Sequence, residues 1–186
     1  MPIEEYVKED APAVSGKRVL VEMKSTQSDM TGVGFFTVRR GKEGDTSFDK
    51  LLADESSGEK NNEYSLVSEG IMEIKDERVV LSYQEAAIAG TEGCTTVISF
   101  DPLSPECVTV ERCGPLSSVF VISRGERLFS VYSTPYGNID MCIYAKRVEN
   151  TLGLGGGCLE LDYAVELKGL TAQRTRMSIK VREINA

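Results

Sequence analysis

The stretch "GCLELDYAVELK" (157–168), followed closely by "QRTRMSIKVR" (173–182), decides the fold class of this chain. In the first, Leu159, Leu161, Tyr163, Val165 and Leu167 alternate with Cys158, Glu160, Asp162, Ala164, Glu166 and Lys168. In the second, Thr175, Met177, Ile179 and Val181 alternate with Arg174, Arg176, Ser178, Lys180 and Arg182. A side-chain period of two is that of a strand, and an apolar face backed by a charged one predicts an antiparallel sheet wetted on one side. A hairpin bent around Gly169 to Thr171 would set Glu166 against Arg174 and Glu160 against Lys180 outside, with Tyr163 against Met177 and Leu161 against Ile179 inside. The basic stripe of the second strand is then neutralised by the first, a structural role rather than an anion site.

The same pattern recurs toward the N-terminus. From residue 64 onward, strand-like runs are broken by turn residues roughly every 8 to 12 positions, the spacing of an all-β barrel or sandwich. "SLVSEGIMEIKDERVVLSYQEA" (65–86) predicts a hairpin closed at Asp76-Glu77 that pairs Ile74 with Val79, Met72 with Leu81 and Gly70 with Tyr83. In "YSTPYGNIDM" (132–141), Pro135 has the fixed φ of a turn's second position and Gly137 the freedom a turn needs, so the segment reads as a hairpin corner. Ile139, Met141 and Ile143 then alternate with Asp140, Cys142 and Tyr144. "KRVLVEMKSTQ" (17–27) is the first strand, after an N-terminal extension over 1–16. Residues 28–63 are the least regular. Phe48, Leu51, Leu52 and Glu55 follow helical spacing with Ser47 as a cap, and the segment is expected to be an insertion, partly mobile near "ESSGEKNN". One domain over 1–186 accounts for the length.

Composition excludes several chemistries. The chain has no histidine, which removes Ser-His-Asp and Cys-His catalysis and imidazole metal sites. Its net charge is −8, and residues 1–85 carry 18 acidic against 11 basic groups, leaving 11 against 10 for the rest. Such a surface repels a phosphate backbone, so no nucleic-acid partner is expected. No apolar run is long enough for a membrane span, and "MPIEEYVKED" is unlike a signal peptide, which predicts a cytoplasmic protein. Five cysteines, Cys94, Cys107, Cys113, Cys142 and Cys158, cannot all pair within the chain, and none stands in a C-x-x-C spacing. Reduced thiols, no metal and no cofactor are the expectation.

"GLGGGC" (153–158) nearly matches a dinucleotide fingerprint, but a strand follows where the phosphate-cradling helix should start, so it is read as a turn. The polar groups expected to line a barrel interior or its mouth, and so to touch a ligand, are Tyr83, Glu85, Glu92, Arg112, Tyr132 and Tyr136. Each also has a purely structural reading as a hydrogen-bonded interior group. Glu85 and Glu92 could divide acid and base roles, but their spacing does not require it, so no catalytic residue is assigned.

Taken together, "VLVEMKSTQ" (19–27), "SEGIMEI…VVLSYQEAAIAGTEGCTTVISF" (68–100), "VERCG" (110–114), "YSTPYGNIDM" (132–141) and "GGCLELDYAVEL" (156–167) resemble the YwiB-like family of small bacterial β-barrels of the calycin, lipocalin-like type. The resemblance spans nearly all of 17–184, although the link after the first strand is longer here than is usual in the family. It implies an antiparallel up-and-down barrel of about 8 to 10 strands, with no catalytic residues to carry over. The leading expectation is a non-enzymatic barrel that binds a small or lipid-like molecule inside. The rival is a partner-binding module that uses the acidic front half and the insertion, with a filled barrel. A carboxylate-based hydrolase stands behind both, and oligomeric state is not set by the sequence.

Overall fold

In the computed structural model, residues 16–30, 61–85, 93–114, 117–134 and 137–184 are described, with side chains left aside at 132–134 and 137. They form ten strands: β1 (Lys17–Asp29), β2 (Asn61–Lys75), β3 (Arg78–Gln84), β4 (Thr95–Phe100), β5 (Cys107–Cys113), β6 (Ser117–Ser123), β7 (Arg127–Thr134), β8 (Gly137–Asn150), β9 (Gly156–Leu167) and β10 (Leu170–Glu183). Each strand pairs antiparallel with its neighbours in sequence, and β1 pairs with β10 to close the barrel. Closure satisfies backbone groups that an open sheet would leave at its edges. The antiparallel all-β class expected from the alternation, and the up-and-down barrel implied by the family resemblance, are therefore the ones formed.

The β2–β3 hairpin has the predicted register, with Ile74 opposite Val79, Met72 opposite Leu81 and Gly70 opposite Tyr83. Asp76 and Glu77 both take positive φ, as a two-residue turn matched to strand twist requires. At Gly70 a Cβ would stand 2.7 Å from the Ser82 carbonyl oxygen, so only glycine lets β2 and β3 approach this closely under Tyr83.

The β9–β10 register differs from the expected one. The turn is tighter: Lys168 and Gly169, both at positive φ, join a Leu167–Leu170 pair. The register then slips between Thr171 and Gln173. Tyr163 faces Thr175 rather than Met177, Leu161 faces Met177 rather than Ile179, Arg174 faces Ala164 and Lys180 faces Cys158. Two residues of offset leave every side chain on its predicted face, which is why alternation could not reveal the error. The basic stripe is still neutralised, by different partners. Arg174 donates to both carboxylate oxygens of Asp162 at 2.9 and 2.7 Å, Arg176 lies 3.7 Å from Asp162, and Arg182 reaches Glu22 of β1 at 3.0 Å.

The inward faces build one apolar core. Toward the end that carries the β2–β3, β4–β5, β6–β7 and β8–β9 turns, Val19, Met72, Leu81, Ile98, Val108, Ile122 and Leu159 are at most 1% exposed. Side chains so enclosed meet protein on all sides, and this end is a packed floor. "GLGGGC" is the end of the β8–β9 turn running into β9, as read from the sequence.

Candidate functional site

Inward-facing positions change character toward the opposite end, the mouth, where the β1–β2, β3–β4, β5–β6, β7–β8 and β9–β10 connections lie. Here Ser25 of β1, Tyr83 at the end of β3, Thr96 of β4, Ser118 of β6, Tyr163 of β9, and Gln173 and Thr175 of β10 are all buried. They occupy the same alternating phase as the apolar core residues of their strands, so their side chains enter the barrel. Among them stand inward apolar groups that keep some solvent contact: Met23, Val110, Phe120, Ile139, Leu167 and Met177. The upper interior is thus mixed in polarity and partly accessible, whereas the floor is apolar and dry.

An ion pair anchors this belt. Glu85 Oε1 accepts from Arg112 Nε at 2.9 Å and Nη2 at 2.8 Å, and from Thr96 Oγ1 at 2.5 Å. Strand pairing brings these groups together, since Tyr83 faces Thr96 and Thr96 faces Arg112 across β3, β4 and β5. The Glu85 carboxylate side chain is 8% exposed and the Arg112 side chain 27%, so the pair is shielded most on its acidic side. Glu85 is fixed from behind as well, its backbone N–H donating to the Cys94 carbonyl at 3.0 Å.

Burial pushes the Tyr83 hydroxyl above the ordinary tyrosine range, and the Glu85 charge pushes the same way, while Arg112 and the hydrogen bond with Thr96 pull back. Burial likewise raises Tyr163, opposed by its hydrogen bond with Thr175 and by Arg112. Both tyrosines are therefore neutral hydrogen-bonding groups at any physiological pH, and neither has the lowered pKa of an activated nucleophile. The cysteines do not supply one either. Desolvation pushes the Cys113, Cys142 and Cys158 thiols up, with Glu111, Glu166 and Glu160 adding to the effect, which is the opposite of the activation that a catalytic thiolate needs. Cys107, Cys113, Cys142 and Cys158 are free thiols. Among the described residues, no three His, Cys, Asp or Glu side chains gather as a metal ion would require.

Among the described residues two buried side-chain atoms have no hydrogen-bond partner: Asn150 Nδ2, at the floor end of β8, and the Ser25 hydroxyl, within the mouth belt. A buried polar atom left in this state costs about 1 to 3 kcal/mol, which a bonding partner would recover.

Of the residues singled out from the sequence, Tyr83, Glu85 and Arg112 are brought together. Tyr132 lies in β7 between Ser118 and Ile139, its side chain outside the described residues, as are Glu92 and Tyr136. Sequence reasoning placed Tyr163 and Thr175 on the inner face without singling them out as polar lining groups, and it missed Ser25 and Thr96. All four sit in the apolar phase of their strands, which marks a residue as interior but does not show what its polar atom meets.

The family pattern described as "Domain of unknown function (DUF1934)" matches residues 51–179. The barrel is similar to the crystal structure of the ywiB protein from Bacillus subtilis, with a TM-score of 0.61 at 14% identity, over 91% of this chain and 94% of that one. That likeness bears on the fold. No curated protein matches this chain.

Proposed function

Because the chain belongs to the DUF1934 family, a domain of unknown function, its role has to be read from the barrel itself, and we propose that it binds a small molecule in the mouth of the barrel without transforming it. The observation that carries this reading is the Ser25 hydroxyl, buried and without a hydrogen-bond partner within the polar belt of the mouth. A ligand group that pairs with it would recover the desolvation cost the apo protein bears.

The surroundings narrow the ligand's chemistry. Glu85 and Arg112 offset each other, and the tyrosine and threonine hydroxyls are neutral, so the belt favours an uncharged polar group. Met23, Phe120, Leu167 and Met177 offer apolar contact beside it. The floor is too tightly packed to take a long chain, so the occupant is a compact amphipathic molecule held near the mouth and not a deeply inserted lipid. The chain has no imidazole, and among the described residues the Glu85 carboxylate of the site is tied up by Arg112 and Thr96, which supports binding over turnover.

Native mass spectrometry of the protein purified from its own host tests this. The expected spectrum shows a bound small molecule that is released on denaturation and is lost from Ser25→Ala, a variant that removes the hydroxyl oxygen alone and keeps its circular dichroism. Bare chain alone from the host, or equal retention by Ser25→Ala, would overturn the proposal. An ordered water on Ser25 gives the bare-chain result and so counts against it.

A further inference from the structure

An apolar face on the outer wall of the barrel lies on β6 and β7. Phe129 is 92% exposed there, with Val119 and Val131 nearly half exposed and Val121 half-buried beside them. These residues are in the outward phase of their strands, opposite to Ser118, Ile122 and Ser130, which are buried. An exposed aromatic on a strand, ringed by valines, is the composition of an interface core rather than of a solvated wall. The wall is also thinnest here. β6 and β7 share only the ladder pairs Ser117–Ser133 and Ser118–Tyr132, and the Val119 carbonyl is taken by the Ser130 hydroxyl at 2.5 Å.

The charges around this face identify what covers it. On the mouth side, in the row of Val119 and Val131, the neighbouring strands present Glu111 and Asp140, both exposed. On the floor side, two residues beyond Phe129, stands Arg127, 60% exposed although it lies 4.3 Å over the Tyr144 ring and 3.4 Å from Glu166. The nearby turn adds the exposed side chains of Arg124 and Glu126. One edge of the apolar face is acidic and the opposite edge carries the arginines.

We infer that this face is a homodimer interface, in which a second copy of the chain packs against the first about a two-fold axis through the row of Val121 and Phe129. Rotation about that axis places the acidic edge of each copy, Glu111 and Asp140, on the arginine edge of the other, and sets Phe129 of each copy against Phe129 of the partner subunit. A chain with a net charge of −8 repels copies of itself at long range. Association therefore requires such local complementarity, and the edges of this face supply it.

Sedimentation equilibrium of the full chain, from about 1 to 100 µM, reads this directly. The wild-type chain should show a reversible monomer–dimer equilibrium. Phe129→Asp should raise the dissociation constant about 100-fold or more, with circular dichroism unchanged, and with the thermal midpoint unchanged at concentrations where the wild-type chain is monomeric, because that side chain touches little of its own barrel. Asp140→Arg should weaken the dimer about tenfold, and adding Arg127→Asp to the same chain should restore most of the loss, since in an isologous interface the two altered positions meet each other. A chain that stays monomeric throughout, including one that captures only some other protein, would overturn the inference. So would a dimer indifferent to Phe129→Asp, or a double charge exchange no tighter than the single one.

Discussion

Tyr83 shows how one residue can serve both the barrel and its mouth. Its ring lies over Gly70 and its hydroxyl enters the polar belt, buried beside Glu85. Its folded-state pKa is raised above the unfolded value near 10, so its contribution to stability is complete below about pH 10 and is lost as pH rises beyond it. Tyr163 acts in the same direction. Urea unfolding between about pH 9 and 11 should therefore show stability falling by as much as about 1.4 kcal/mol per pH unit for each tyrosine. Tyr83→Phe should make that fall shallower, and an unchanged pH profile would mean that the hydroxyl is not buried. At this scale the sequence was legible where chemistry was conspicuous, as with Tyr83, Glu85 and Arg112. Ser25 was not, because a serine in a strand attracts notice only once its neighbours are known to leave it unpartnered.

Among the elements, the β9–β10 hairpin is the most instructive. Alternation placed Tyr163, Ile179 and Val181 on the inner face and Arg174, Arg176 and Lys180 on the outer, and the barrel keeps all of them there. It could not set the register, because a slip of two preserves the pattern. Turn chemistry sets it instead: Lys168 and Gly169 take the two positive φ values of a tight turn, and the slip between Thr171 and Gln173 lets the pairing continue. Gly169 has open space around its Cβ position, so a substitution there reports backbone strain alone. Gly169→Val should cost about 1 to 2 kcal/mol, and Gly169→Asn distinctly less, because asparagine tolerates this conformation. Both are measurable by urea denaturation, and equal costs would assign the effect to lost packing.

For the whole barrel, the division between a dry floor and a polar mouth predicts that stability and binding separate in space. Floor truncations such as Leu159→Ala or Met72→Ala remove fully enclosed side chains and should destabilise by about 2 to 5 kcal/mol. They should leave the molecule retained by the folded fraction unchanged. Ser25→Ala should do the reverse, lowering retention with little loss of stability, because the hydroxyl it removes has no hydrogen-bond partner to lose. Thermal unfolding combined with native mass measurement on the same variants checks both halves, and floor variants that stay folded but lose the ligand would place the site deeper. Alternation with period two, turn residues at regular intervals and the absence of histidine were sufficient to establish an antiparallel all-β fold without imidazole chemistry, because these are local properties that each strand carries by itself. Ring closure between β1 and β10, the gathering of Glu85, Thr96 and Arg112 from three strands, the unpartnered Ser25 hydroxyl and the exposed Phe129 were decided only in three dimensions. They depend on which strands become neighbours and on what each side chain finally meets, and a one-dimensional pattern contains neither.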